Sequence, residues 1–434
     1  MSTPRNPAVA ILAFCLLYTS CTLEAPPAPC TDPLGCVVLE AQEPIKLGVL
    51  QALSGKVAPL GQEQLRGLEL ALNERQRTIL GHTVQLQIED TGCTSEGGAN
   101  AALKVVADPK TVAIFGTTCS SDAATASKVM SDAGLSMISG NNSAPFLTSI
   151  GGKKAPNWQP GYFRTAPNEE YSGRAAANFA FHRLGIRRAA TINDGDIYTR
   201  GLAEGFARTF AALGGSIVLE AAIGKGDNEM GPVLTAVAKS QAELLFFPLF
   251  QPEGNHLLAQ AKKMESLANT VLMSDGALIE NSFITAMGEL ARGMYFVGPR
   301  PATTPQSGQL AKAYLQTFST APSASYYQDA YDAAQLLLRA IEGSAITHAN
   351  GKMIIGREKL RRTLYQSHNI DGITGPLHCD QFGDCGYPRF NILRLDAPER
   401  GVEGLQANVQ DIFMPNSDTP KGATNDKGAG PVQP

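Results

Sequence analysis

The sequence predicts an α/β protein made of two doubly wound parallel-sheet lobes, and three observations carry that expectation. From Ile45 onward, apolar runs of strand length alternate with amphipathic helical stretches, the order that yields parallel strands with helical crossovers. The strand runs are apolar almost throughout, as sheets covered on both faces require. The alternation also occurs twice, in a chain of 434 residues that is long enough for two separate cores.

The N-terminus carries Arg5, the apolar run Ala8 to Leu17, and then Tyr18, Thr19, Ser20 and Cys21, the profile of a secretory signal over 1–20. The run is too short to span a bilayer. It resembles a bacterial lipoprotein signal, in which Cys21 becomes the acylated N-terminus, although Tyr18 stands where such signals usually have Leu. Simple secretion is the rival reading. The stretch 21–44 is rich in Pro and acidic residues and reads as a tether.

The first lobe opens with the strand IKLGVLQAL, followed by a helix with Leu65, Leu68 and Leu72 at helical spacing, the strand TVQLQIED and a helix from Ser95 to Ala107. Next comes TVAIFGTTCSSDAATASKVMSDAGLSMISGNNSAP, Thr111 to Pro145: a buried strand, a small-residue turn, a helix, a second short strand and a polar loop. Both loops then leave the same side of one sheet. Ligands bind outside the carboxyl ends of the strands in such sheets, and a helix beginning at Ser120 and Ser121 offers backbone N–H groups to an anion. Capping of that helix is the competing use of those serines.

The second alternating set runs from the helix Tyr171 to Leu184 through strands RRAATIND, SIVLEAAI, AELLFFPLF, TVLMSDG and ARGMYFVGP, each separated by a helix. Helices then resume over 309–318, 328–342 and 357–365, and GPLHCDQFGDCGYPRFNILRL reads as a hairpin-like end. From Asn416 the composition implies a disordered tail over 416–434.

Cysteine usage agrees with export. Setting aside Cys15 and Cys21, six cysteines remain, and their spacing pairs Cys30 with Cys36, Cys379 with Cys385, and Cys93 with Cys119, the last two at predicted strand ends. Zinc is the competing use, but no C-x-x-C pair occurs. A net charge of -4 without a basic stripe excludes nucleic acid as partner. Six scattered histidines and the absence of H-E-x-x-H, G-x-S-x-G and Walker motifs argue against an enzyme, and no cofactor or metal is implied.

From Ile45 to about Leu395 the chain resembles the type I periplasmic binding proteins of the leucine/isoleucine/valine group. The residues that carry the likeness are spread over the body: IKLGVLQALSG, IEDTGC, IFGTTCSS, SAPFLT, YFRTAP, NDGDIYTRGLAEGF, SDG, GMYFVGPRP and ITGPLHCDQFGD. The resemblance implies lobes joined by a three-strand hinge, crossing near Thr165 to Pro167, Pro299 to Pro301 and Gln381 to Gly386. Lobe one would be 45–164 with 302–380, and lobe two 168–298 with 386–400. It further implies that Ser120, Asn141 and Ser143 hold a ligand carboxylate, that Asp275 faces its ammonium, and that Tyr198 covers it. An Asp at a strand end is otherwise a helix N-cap, and Tyr198 otherwise an aromatic packed on its own lobe.

Four positions depart from the family pattern. Phe250 stands where a second Tyr is common, Leu60 where an aromatic is common, and Asn141 with Asn142 replace smaller residues. The implied ligand is an amino acid or similar zwitterion whose side chain need not be leucine-like. The implied role is a monomeric solute receptor of an ABC importer on the periplasmic side of a bacterial envelope, lipid-anchored and delivering its ligand to a permease. Ligand sensing through a receptor or regulator, without transport, is the alternative.

Overall fold

The computed structural model of the chain describes residues 1–2, 30–324 and 326–415. Most of the expected signal, Cys21 and the tail over 416–434 lie outside the described residues.

Strand Ile45–Gln51 is the centre of the first sheet, whose order is Thr78–Ile79, His82–Asp90, Ile45–Gln51, Thr111–Gly116, Met137–Ser139 and Tyr162–Arg164. All neighbours are parallel except the two-residue edge strand. The chain leaves Gln51 for one side of the sheet and returns on the other, so a crevice opens between the ends of Ile45–Gln51 and Thr111–Gly116. Helices Ala58–Glu74 and Tyr327–Ser344 cover one face of this sheet. Leu47, Val49, Phe115, Ile138, Leu68, Leu337 and Ile341 are wholly buried between them.

The second sheet repeats the winding in the order Ser216–Ala222, Arg188–Asn193, Leu244–Phe246, Val271–Ser274, Tyr295–Pro299, Phe390–Arg394 and Val409–Phe413. Its first five strands are parallel and its last two antiparallel. The fold is therefore two doubly wound α/β lobes, and the chain passes between the sheets three times. The passages hold one another: Arg164 N donates to Gly383 O and Cys385 N to Arg164 O, both at 2.9 Å, and Arg300 N donates to Arg389 O at 3.0 Å.

Three differences from the sequence reading stand out. The expected tether 21–44 is ordered from Cys30: Cys36–Leu39 pairs antiparallel with Met353–Gly356, because CVVL is an apolar edge strand pinned by the Cys30–Cys36 disulfide. The end expected for lobe two at residue 400 falls short, since helix Gly401–Ala407 and strand Val409–Phe413 extend the same sheet. VQDIF has no clean alternation, being a half-exposed edge strand. The run AELLFFPLF yields a strand only over Leu244–Phe246, since Pro248 lacks the N–H a central strand needs. Disulfides Cys93–Cys119 and Cys379–Cys385 complete the set of three.

Candidate functional site

Four loops leave the carboxyl ends of strands and converge between the lobes. Lobe one supplies the turn 117–120 and the loop 140–145; lobe two supplies the loop before helix Ile197–Ala212 and the one after Val271–Ser274.

The lobe-one wall is neutral and heavily braced. Helix Ser120–Asp132 has Cys119 at its N-cap, with no side-chain capping bond; the Ser120 Oγ accepts from Ala144 N at 3.2 Å and ties the two loops together. Ser139 Oγ accepts from Asn141 N and Asn142 N, each at 3.0 Å, and donates to Thr117 O at 2.8 Å. Asn142 is fully buried, donating to Cys119 O at 2.8 Å and accepting from Thr117 N and Tyr162 OH at 3.1 Å. The Asn141 amide donates one of its two N–H groups to Thr118 O at 2.8 Å. Below the turn, the buried carboxyl of Asp122 is pushed up to about 7 by burial, against hydroxyl donors Thr117 at 2.6 Å and Thr91 at 2.5 Å. Ser121 Oγ is buried without a partner, and Ser143 is buried in the loop 140–145.

The lobe-two wall is acidic. Tyr198 stands at the start of Ile197–Ala212, where Asp196 Oδ1 caps the helix by accepting from Tyr198 N at 2.9 Å. The Tyr198 hydroxyl donates to Asp275 Oδ2, and Ser274 Oγ donates to Asp275 Oδ1 at 3.3 Å. Asp275 is fully buried and pushed up to about 7, chiefly by that burial and against the Tyr198 hydrogen bond. Phe250 lies 5.1 Å from the Tyr198 ring, centroid to centroid, and both are buried with Leu60 in one apolar cluster that spans the lobe boundary.

Sequence reasoning missed two residues of the site. Glu169, just past the first passage, is buried and donates its backbone N–H to Ser143 O at 3.0 Å. Its carboxyl is driven well above the usual range by burial, then by the charge of Asp275, while the Ser143 and Tyr198 hydroxyls oppose the shift. Its Oε2 has no partner. The nearby Arg164 is committed elsewhere, pairing with Asp384 at 2.6 Å and donating to Ala144 O at 2.8 Å. Tyr326 reaches in from lobe one; its buried hydroxyl, held up by burial and by the Glu169 and Asp275 charges, sits so near Gly276 that a Cβ there would lie 2.6 Å away. The only sequence hint was the tandem Glu169–Glu170 after Pro167, and nothing in it says which of the two turns inward.

The lobes touch around the site. Lys225 Nζ donates to Cys93 O at 3.3 Å, Asn281 N donates to Ser323 O at 3.2 Å, and Arg200 lies 5.0 Å above the Phe146 ring. Hydroxyls and a helix N-terminus of lobe one and two buried carboxyls of lobe two thus meet at the boundary between the lobes. Such a set can hold an anion at one end and a cation at the other.

Residues 44–383 match the model of the periplasmic binding proteins. The chain is 28% identical over 360 residues to the Leu/Ile/Val-binding protein BraC3 of Rhizobium johnstonii, covering 82% of this chain and 93% of that one. It is 24% identical over 365 residues to the Leu/Ile/Val-binding protein of Escherichia coli K12, covering 82% and 94%. A leucine-binding protein from Thermotoga maritima superposes with a TM-score of 0.70 at 21% identity, covering 86% of this chain and 98% of that one. A solute-binding protein of R. palustris in complex with 4-hydroxybenzoate gives 0.72 at 20% identity, covering 87% and 98%. With the family model spanning most of its length and its two lobes wound alike, the chain belongs to the periplasmic binding protein family, whose members capture solutes and are not enzymes.

Proposed function

We propose that this chain is the solute receptor of an ABC importer and that it binds an amino acid or similar small zwitterion between its lobes. The observation that carries the reading is the meeting of unlike walls: two buried carboxyls, Asp275 and Glu169, belong to lobe two and the neutral hydroxyls Ser120 and Ser143 to lobe one, with Ser143 bonded to Glu169 where they touch. A ligand ammonium set between the carboxylates neutralises charge that burial makes costly, and the ligand carboxylate takes the hydroxyls and free N–H groups of helix Ser120–Asp132. Tyr198 and Phe250 cover the ligand, and the lobes close as two bodies on the passages near 165–167, 299–301 and 381–386. Cys21 tethers the mature chain to the membrane.

Aromatic acids, one of which the R. palustris protein carries, form the second arm of the test. Lacking an ammonium, they leave both acids uncompensated and are expected to bind this gap poorly. A thermal-shift screen over amino acids and aromatic acids separates the two classes, since a ligand that binds only the folded state raises the melting temperature. Asp275→Ala is expected to abolish the shift while leaving the free protein folded. A full shift in that variant would remove Asp275 from the site.

A further inference from the structure

A second pocket lies away from the gap between the lobes, on the outer side of the third passage, with a volume of about 710 Å³. That is within the roughly 300–1,000 Å³ typical of small-molecule sites. Its walls are mainly rings: Trp158, Tyr365, Phe382, His368 and His378. The two imidazoles are nearly parallel, with centroids 4.2 Å apart and planes at 26°. The other rings are fixed by contacts of their own. Trp158 Nε1 donates to Phe382 O at 3.1 Å, and the Tyr365 hydroxyl accepts from Gly161 N at 3.3 Å while its ring packs 4.5 Å from Phe163. The Cys379–Cys385 disulfide pins the wall that carries His378 and Phe382.

Basic residues stand at the rim of this pocket and one carboxylate lies in its wall. Lys154 Nζ stands 4.7 Å from the Trp158 ring centroid, and Lys153 beside it is exposed. The carboxylate in the wall, Asp380, is turned into its own turn, accepting from Phe382 N and Asp384 N at 2.9 Å. Flat, rigid walls favour a flat guest, and an ammonium with two imidazoles at the rim favours an anion.

We infer that this pocket is a second ligand site, for a planar aromatic carboxylate, distinct from the gap between the lobes. The ring lies among Trp158, Tyr365 and Phe382, and the carboxylate faces Lys154 and the imidazoles. The wall formed by 378–382 leads directly to Asp384, the partner of Arg164, so occupancy bears on the passages between the lobes.

The chain contains one tryptophan, which makes its fluorescence a reporter of this pocket alone. Titrating 2-naphthoate into the full mature chain is expected to give saturable quenching, unchanged in Asp275→Ala. Lys154→Ala, which alters an exposed side chain, and the pair His368→Ala with His378→Ala are each expected to weaken binding about tenfold, the size of one charge-assisted contact. Linear quenching, or equal affinity in those variants, would overturn the assignment. So would loss of binding in Asp275→Ala, which would place the ligand between the lobes. 2-Naphthylmethylammonium serves as the charge control, and binding as tight as the carboxylate's would remove the anion from the proposal.

Discussion

The two walls of the inter-lobe gap solve opposite problems. Lobe one meets the site with a neutral surface in which Asn142, Ser139 and Ser120 bond one loop to the next, so its donors are set before any ligand arrives. Lobe two meets it with Asp275 and Glu169, buried near each other without a cation committed to them, so its charge is costly until a ligand arrives. One wall is preorganised and the other is under electrostatic load. Binding specificity for an ammonium should come from the second, and rigidity of the gap from the first.

The sharpest way to break that contrast is to remove the brace. Arg164 is fully buried, pairs with Asp384 and holds Ala144 O, so Arg164→Met leaves Asp384 uncompensated beside the lobe-one loop. A loss of about 3–5 kcal/mol in denaturant unfolding is expected, as for other buried pairs broken on one side. A loss below about 1 kcal/mol would mean that the lobe-one wall does not depend on it.

Replacing Cys93 and Cys119 by Ser tests the same wall from the other end. The bond closes a stretch with a sequence separation of 26, and its removal is expected to cost on the order of 3 kcal/mol. Because Cys119 precedes Ser120 and Cys93 O accepts from Lys225 of lobe two, ligand affinity should fall along with stability. Unchanged affinity in a destabilised variant would show that the turn carrying Ser120 is held by Asn142 alone.

How far each wall was legible follows from how local its determinants are. The lobe-one turn and loop are continuous in sequence, between strand runs whose apolar character fixes where their carboxyl ends lie, so the turn with Ser120 could be read from the sequence order, while Ser143 came from the family resemblance. Asp275 directly follows a strand end and Tyr198 opens the helix after another, but their roles too came from the resemblance. Glu169 and Tyr326 could not be placed, because each lies beside a passage or in an irregular segment and turns toward a partner more than one hundred residues away. Of the adjacent acids, Glu169 is buried and Glu170 reaches out to Gly151 N, a choice made by the path of the backbone past Pro167. The strand Cys36–Leu39 was hidden for a similar reason, since its pairing partner lies at Met353–Gly356.

The load on lobe two has a pH signature. Asp275 is pushed up from 3.8 to about 7, so its ionisation opposes folding; its contribution to stability is full below the unfolded value and is lost as pH rises through about 7. The free protein should therefore melt at a lower temperature at pH 8 than at pH 5. Asp122 acts in the same direction, so the informative quantity is the difference between the wild type and Asp275→Asn, in which the fall should be smaller. A ligand ammonium needs the ionised form, so the thermal shift from a bound amino acid should grow over the same window. A shift independent of pH in the wild type would mean that no cation sits against Asp275.

The smallest expected effect concerns Phe250, which packs at 5.1 Å from the Tyr198 ring. Phe250→Tyr adds one hydroxyl to a wall already rich in acceptors, and Phe250 itself is largely buried. If the new group finds one of those acceptors, the hydrogen bond offsets its desolvation; stability and amino-acid affinity should each change by no more than about 1.5 kcal/mol, measured by melting and calorimetry. Left without a partner it costs about 1–3 kcal/mol and the protein melts earlier at every pH. The first result would mean that lobe two accepts further polarity beside its acids. The second would mean that the ring at Phe250 keeps water from Asp275, so that an apolar neighbour is part of what holds its carboxyl near 7.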